Sequence, residues 1–151
     1  MVRFVLCLLV VSAFFFVSST KAGSTDECID VLISALVQVE SGGDDHAIGD
    51  RNLANKAYGA LQIRRPCMDD VNERNKTSHR AEDTLGNRKL SVWCFREYMK
   101  RYATKSRLGR EPTFEDMARI WNGGPNGHRK KSTNKYWGKV QEEVERQKKA
   151  D

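Results

Sequence analysis

The chain begins with an almost unbroken apolar run, Phe4 to Val17, preceded by Arg3 and followed by the small and polar residues Ser18 to Ala22. The run is too short to span a bilayer comfortably, and its flanks fit a cleavable secretory signal cut near Ala22. An uncleaved anchor is the alternative. No second long apolar segment follows, so residues 1–22 are expected to be an address and residues 23–151 one exported, soluble domain.

Beyond the address the apolar positions recur at helical spacing. Cys28, Val31, Leu32, Ala35, Leu36 and Val39 form one stripe. Ser24 and Glu27 are placed as a capping box at its start, and Gly42-Gly43 as its stop. Residues 44–59 are rich in Asp, Asn and Gly and suit an irregular loop or a small hairpin. A short helix is expected after Pro66, then a polar surface connection from Asn75 to Asn87. A second long helix covers about 89–103, with Val92, Phe95, Met99 and Tyr102 on one face. Thr113 caps a third, with Asp116 reaching back, and Phe114, Met117, Ala118 and Trp121 turn inward. A last helix starts near Asn134 and buries Tyr136, Trp137, Val140 and Val144, with a charged end from Glu145 that frays. There are no repeats and no linker that would divide the chain. The expected class is α+β, predominantly helical, with little or no strand.

Charge and cysteines adjust this picture modestly. Setting aside Arg3 and Lys21 leaves 24 basic residues against 20 acidic, a net charge of +4. That excess favours anionic surfaces such as a bacterial wall, or is simply a solvated basic face. Basic and acidic residues are interleaved and no nucleic-acid motif is present, so nucleic acid is not an expected partner. Cys28, Cys67 and Cys94 remain once Cys7 leaves with the signal. An odd count in an oxidising compartment implies one bridge and a free thiol, or an intermolecular bond. Cys67 with Cys94 is the first choice for the bridge. Asn75-Lys76-Thr77 is a glycosylation sequon in the polar connection. His46, His79 and His128 are scattered without a metal-ligand pattern, so neither metal nor cofactor is expected.

The candidate chemistry lies where the first helix ends. Glu40 follows Leu36 by four residues and Leu32 by eight, so it continues the apolar stripe. A carboxyl group there is partly desolvated, holds its proton at higher pH, and can act as a general acid. The competing reading is a helix-end glutamate pointing into water. Asp44, Asp45 and Asp50 follow in a loop where a carboxylate can stay ionised, although capping a turn is the commoner role for such an aspartate. Two carboxyl groups in different environments suit glycoside hydrolysis. Trp121 to Gly127 reads "WNGGPNG", either a sugar-binding surface or a helix stop followed by a proline turn.

Three segments in order, "ESGG" at Glu40, "YGALQI" at Tyr58 to Ile63 and "ARIWNGGPNG" at Ala118 to Gly127, resemble the lysozyme-like superfamily. "YMKRY" and "YWGKVQ" make the invertebrate-type lysozymes the nearest likeness. The trio is also similar to soluble lytic transglycosylases and phage muramidases. The likeness spans most of residues 28–142. It implies a single lysozyme-like domain and a secreted, antibacterial muramidase, monomeric, acting on bacterial peptidoglycan without a cofactor. Glu40 would be the catalytic acid, supported by Ser41, and Asp50 the second carboxylate, matched more loosely. Tyr58, Gln62, Asn122, Gly123 and Gly124 would line the glycan cleft. The departure is the cysteine count, since that family is rich in disulfides. A lytic transglycosylase and an inactive glycan binder are the alternative functions.

Overall fold

The structure, a computed structural model, describes residues 25–150, with side chains from Ile29 onward. The expected signal segment, Ser24 and the side chains of Glu27 and Cys28 lie outside the described residues. Six helices dominate the described residues: α1 (Thr25–Ser41), α2 (Arg65–Asn75), α3 (Arg88–Tyr102), α4 (Lys105–Leu108), α5 (Phe114–Gly123) and α6 (Asn134–Lys148). Three two-residue strands, β1 (Ile48–Gly49), β2 (Ala57–Tyr58) and β3 (Ile63–Arg64), form an antiparallel sheet between α1 and α2. The glycine- and asparagine-rich stretch therefore makes a hairpin extended by a third strand. The fold is α+β and predominantly helical, as expected.

Helix α1 is buried on a wider face than its stripe indicated, because Ile33 and Val37 join Leu32, Ala35 and Leu36 in the core. It packs against α6, which in turn packs against α5, while α2 packs on α3. Phe95, Ile120, Leu61, Met68 and Val140 fill the space between these helices. Dense apolar packing of this kind is the main term that offsets the entropy of ordering the chain.

The helix ends follow local chemistry. Gly42 N–H donates to the Gln38 carbonyl at 3.0 Å and closes α1. Pro66 sits in the first turn of α2, where a missing N–H costs nothing. Thr113 caps α5 through its hydroxyl, and Asp116 accepts from the Thr113 N–H in return at 2.9 Å. Asp116 is only 4% exposed. Burial pushes its carboxyl up, but hydrogen bonds from Arg110 and Thr113 outweigh this and hold it below its ordinary value.

Several expectations need correction. The charged end of α6 stays helical to Lys148, because Arg146 pairs with Glu143 and Lys148 with Glu145 along its surface. The connection from Asn75 to Asn87 contains a 3-10 turn, Ala81–Thr84, whose first and last residues, Ala81 and Thr84, are buried. The Asn75 side-chain amide donates to the Val71 carbonyl at 2.9 Å, at the last residue of α2. Cys67 and Cys94 are brought together as expected, but as two free thiols hydrogen-bonded to one another. That hydrogen bond, with burial, keeps the Cys67 thiol protonated well above its usual range.

The turn after α5 explains the glycine density of "WNGGPNG". Gly127 is buried against the backbone of α5, and a Cβ there would lie 1.8 Å from the Arg119 carbonyl oxygen. Thr133 locks the same turn by donating to the Gly127 carbonyl at 2.9 Å. Gly127→Ala should therefore force the turn off α5 and destabilise the fold by about 1–3 kcal/mol, the usual cost of overpacking. Urea unfolding followed by circular dichroism measures this directly.

Candidate active site

Glu40 stands in the last turn of α1, where the apolar stripe carries its side chain inward instead of into water. The tyrosine hydroxyl of Tyr136, in the first turn of α6, donates to Glu40 Oε1 at 2.6 Å. A phenol has one proton to give, so this bond marks Oε1 as an acceptor and leaves Oε2 to carry the carboxyl proton. Burial raises the Glu40 pKa above its ordinary value of 4.5. The Tyr136 hydrogen bond and the Arg64 charge pull it back, and the Asp50 charge adds to the rise. Burial and the Glu40 charge in turn push the Tyr136 hydroxyl up, so it remains a donor.

A cleft of about 650 Å³ opens beside Glu40. Asp50, Gln62 and Arg64 form one wall, from the small sheet and its loop, and Trp121, Asn122, Gly124 and Pro125 form the other. Asp50 and Gln62 are both held in left-handed backbone, each at φ 50°. Non-glycine residues seldom adopt that conformation, and such strain gathers at functional sites. Gln62 is fixed by donating from Nε2 to the Gly59 carbonyl at 2.9 Å and the Ala47 carbonyl at 3.3 Å. Its amide oxygen covers Gly49 so closely that a Cβ on Gly49 would meet it at 2.1 Å. Trp121 is braced edge-on by Phe95 and Tyr98, with centroids 5.2 and 5.8 Å away.

The cleft thus gathers Glu40, Asp50, Gln62, Asn122 and Gly124 from three distant segments. Two of the expected residues stand elsewhere. The Tyr58 hydroxyl is directed at Glu82, and its carbonyl accepts from Thr84. Gly123 faces Thr133 and Lys130, and its carbonyl accepts from Lys130 Nζ at 2.6 Å. Ser41 donates back to the Val37 carbonyl at 3.0 Å, so its bond serves the helix end. Tyr136 and Arg64 are the residues that sequence reasoning missed. Tyr136 read only as part of a buried stripe, 96 residues from its partner. Among the described residues no group of His, Cys, Asp and Glu is arranged to hold a metal ion. No described helix is long and apolar enough to cross a membrane.

A mainly helical domain with a shielded glutamate lining a cleft of about 650 Å³ has the form of a lysozyme-like domain. The family model described as the transglycosylase SLT domain matches residues 18–144. The chain is 35% identical to an invertebrate-type lysozyme of Ruditapes philippinarum over 103 residues, covering 68% of this chain and 71% of that protein. It is 42% identical to lysozyme 1 of Crassostrea virginica over 127 residues, 82% of this chain and 65% of that one. The crystal structure of Tapes japonica lysozyme superposes with a TM-score of 0.62 at 28% identity, over 74% of this chain and 86% of that one. The chain therefore belongs to the SLT transglycosylase domain family and to the invertebrate-type lysozymes.

The raised pKa of Glu40 has a stability consequence whose sign is fixed. A carboxyl that prefers its proton in the folded state gives stability that is fully present below pH 4.5 and is lost as pH rises through the folded value. Glu40→Gln removes this loss, because the amide stays neutral and can still accept from Tyr136. The variant should melt a few degrees above the parent at about pH 8 and level with it at about pH 4. Paired thermal melts at the two pH values measure the difference.

Proposed function

We propose that this chain is a secreted muramidase, a lysozyme-type glycoside hydrolase that cuts the β-1,4 bond between N-acetylmuramic acid and N-acetylglucosamine in bacterial peptidoglycan. The observation that carries the proposal is the shielded carboxyl of Glu40, hydrogen-bonded at Oε1 by Tyr136 and open to the cleft. Family membership supports it, since the named relatives are lysozymes. In this reading residues 1–22 direct export, the enzyme is a monomer, and its role outside the cell is antibacterial.

The steps follow from the charges. Glu40 gives its proton from Oε2 to the glycosidic oxygen as the bond lengthens, and the sugar left behind gains oxocarbenium character. Asp50, on the wall formed by the sheet and its loop, stabilises that centre or attacks it. Glu40, now ionised, draws a proton from the water that completes hydrolysis. Ionised Glu40 keeps the Tyr136 hydrogen bond, which eases the charge that forms on it. Gln62, Asn122, Gly124 and the Trp121 ring supply polar and apolar faces for the sugars. No step requires a metal or cofactor.

A second reading has support from one specific feature. Asp50 is ion-paired with Arg64, so its negative charge is already engaged. If Asp50 takes no part, the muramic 6-hydroxyl attacks instead, and the product ends in 1,6-anhydromuramic acid as in lytic transglycosylases. Mass spectrometry of digested peptidoglycan separates the two, because hydrolysis adds the mass of water and intramolecular attack does not. Hydrolysed ends, lost in Glu40→Gln by about 1,000-fold or more, are the expected result. Anhydro ends would replace hydrolysis with the second reading. Binding of wall fragments, with any lysis unaffected by Glu40→Gln, would favour a glycan-binding role over both enzyme readings.

The pH dependence carries a further expectation. Activity needs Glu40 protonated, so the alkaline limb of kcat/KM should lie above the ordinary carboxyl range. Tyr136→Phe removes a bond that favours the ionised form, and should move this limb to still higher pH. A pH–rate profile of both proteins on peptidoglycan measures the shift.

A further inference from the structure

We propose that Arg64 is a positioning residue that staples the loop 50–55 to the sheet and so holds Asp50 against the cleft. This inference rests on the muramidase reading above. The loop joins β1 to β2 and rims the cleft, yet little apolar burial anchors it. Leu53, near its tip, is 53% exposed, and residues 50–56 are exposed throughout. Within the loop, Leu53 N–H donates to the Asp50 carbonyl at 2.8 Å, and Arg51 Nε donates to the Ile48 carbonyl at 3.2 Å. These short-range bonds shape one turn but tie nothing to the far side of the sheet.

Arg64 does so from β3. One terminal nitrogen donates to Asp50 Oδ2 and the other donates to the Asn55 carbonyl at 2.7 Å. A single guanidinium thus grips both ends of the loop, a task its planar fork performs and a lysine ammonium performs less well. The site needs this grip because Asp50 is in left-handed backbone, which an unanchored aspartate would leave for a more populated conformation. Release would move the second carboxylate away from the cleft. The groups that face Glu40 are Asp50 from the loop, Arg64 from β3 and Tyr136 from α6, so losing the staple also alters the field at the acid.

The test compares Arg64→Gln, Arg64→Lys, Asp50→Asn and the double variant Arg64→Gln/Asp50→Asn, with Glu40→Gln as reference. Arg64→Gln should lower kcat for peptidoglycan hydrolysis about 100-fold, the scale of a small misplacement of a reacting group. KM should change by less than about threefold, and Arg64→Lys should recover part of the loss. Asp50→Asn should lose a similar factor, and the double variant no more than the worse single, because the two residues act as one unit. Trypsin gives a readout independent of activity: cleavage after Arg51 or Lys56 should quicken about tenfold in Arg64→Gln at unchanged melting temperature. Losses that multiply in the double variant, or a tryptic rate equal to the parent's, would overturn the staple. An impaired Asp50→Asn beside a normal Arg64→Gln rejects the staple and keeps the muramidase mechanism. A silent Asp50→Asn rejects the staple together with the role of Asp50, while an active Glu40→Gln rejects the muramidase reading itself.

Discussion

Everything in the site depends on keeping one carboxyl group out of water without denying it a partner. Glu40 achieves this at the junction of two packed helices. The stripe of α1 delivers it to the core edge, and α6 answers with a single phenolic donor. A stronger donor, such as a paired arginine, would ionise the acid. No donor at all would leave a buried polar atom unsatisfied, which costs free energy of its own. A neutral hydroxyl lies between these cases. The Glu40 proton is retained because burial outweighs the hydrogen bond and the Arg64 charge.

The remaining architecture follows from placing two unlike carboxyl groups around one cleft. Glu40 belongs to a long helix locked in the core, whereas Asp50 belongs to an exposed loop that needs an external grip. The small sheet supplies that grip through Arg64 and sets the wall through Gln62, itself pinned to two backbone carbonyls. The opposite wall depends on Gly127 letting the turn after α5 lie directly on helix backbone. The fold has free thiols at Cys67 and Cys94 and relies on this packing for the described residues it holds together. In each case a backbone constraint fixes a side chain that chemistry then uses.

Much of this was legible in sequence because it is local. The α1 stripe and its glycine stop, the Thr113–Asp116 box and the start of α6 all rest on neighbours a few residues apart. Glu40 was legible for the same reason, since its spacing from Leu36 and Leu32 sets its face. What sequence could not supply were pairings across long separations. Tyr136 meets Glu40 from the other end of the chain, and Arg64 meets Asp50 across the sheet. Tyr58 lies outside the cleft lining although Gln62 and Ile63 of the same motif reach it, because its hydroxyl is directed at Glu82, a partner the local motif does not reveal. The end of α6 was expected to fray because its charges were counted, but their i,i+3 pairing was not.

The central claim is that Glu40 is a neutral acid in the resting protein at pH values where an ordinary carboxyl has ionised. Carbon-13 NMR of the Glu40 side-chain carboxyl, assigned by its loss in Glu40→Gln, follows that titration directly. The midpoint should lie above 4.5 and move higher still when Tyr136 is replaced by phenylalanine. A midpoint at or below 4.5 would mean that Glu40 is ionised when substrate arrives, and would contradict its role as the proton donor.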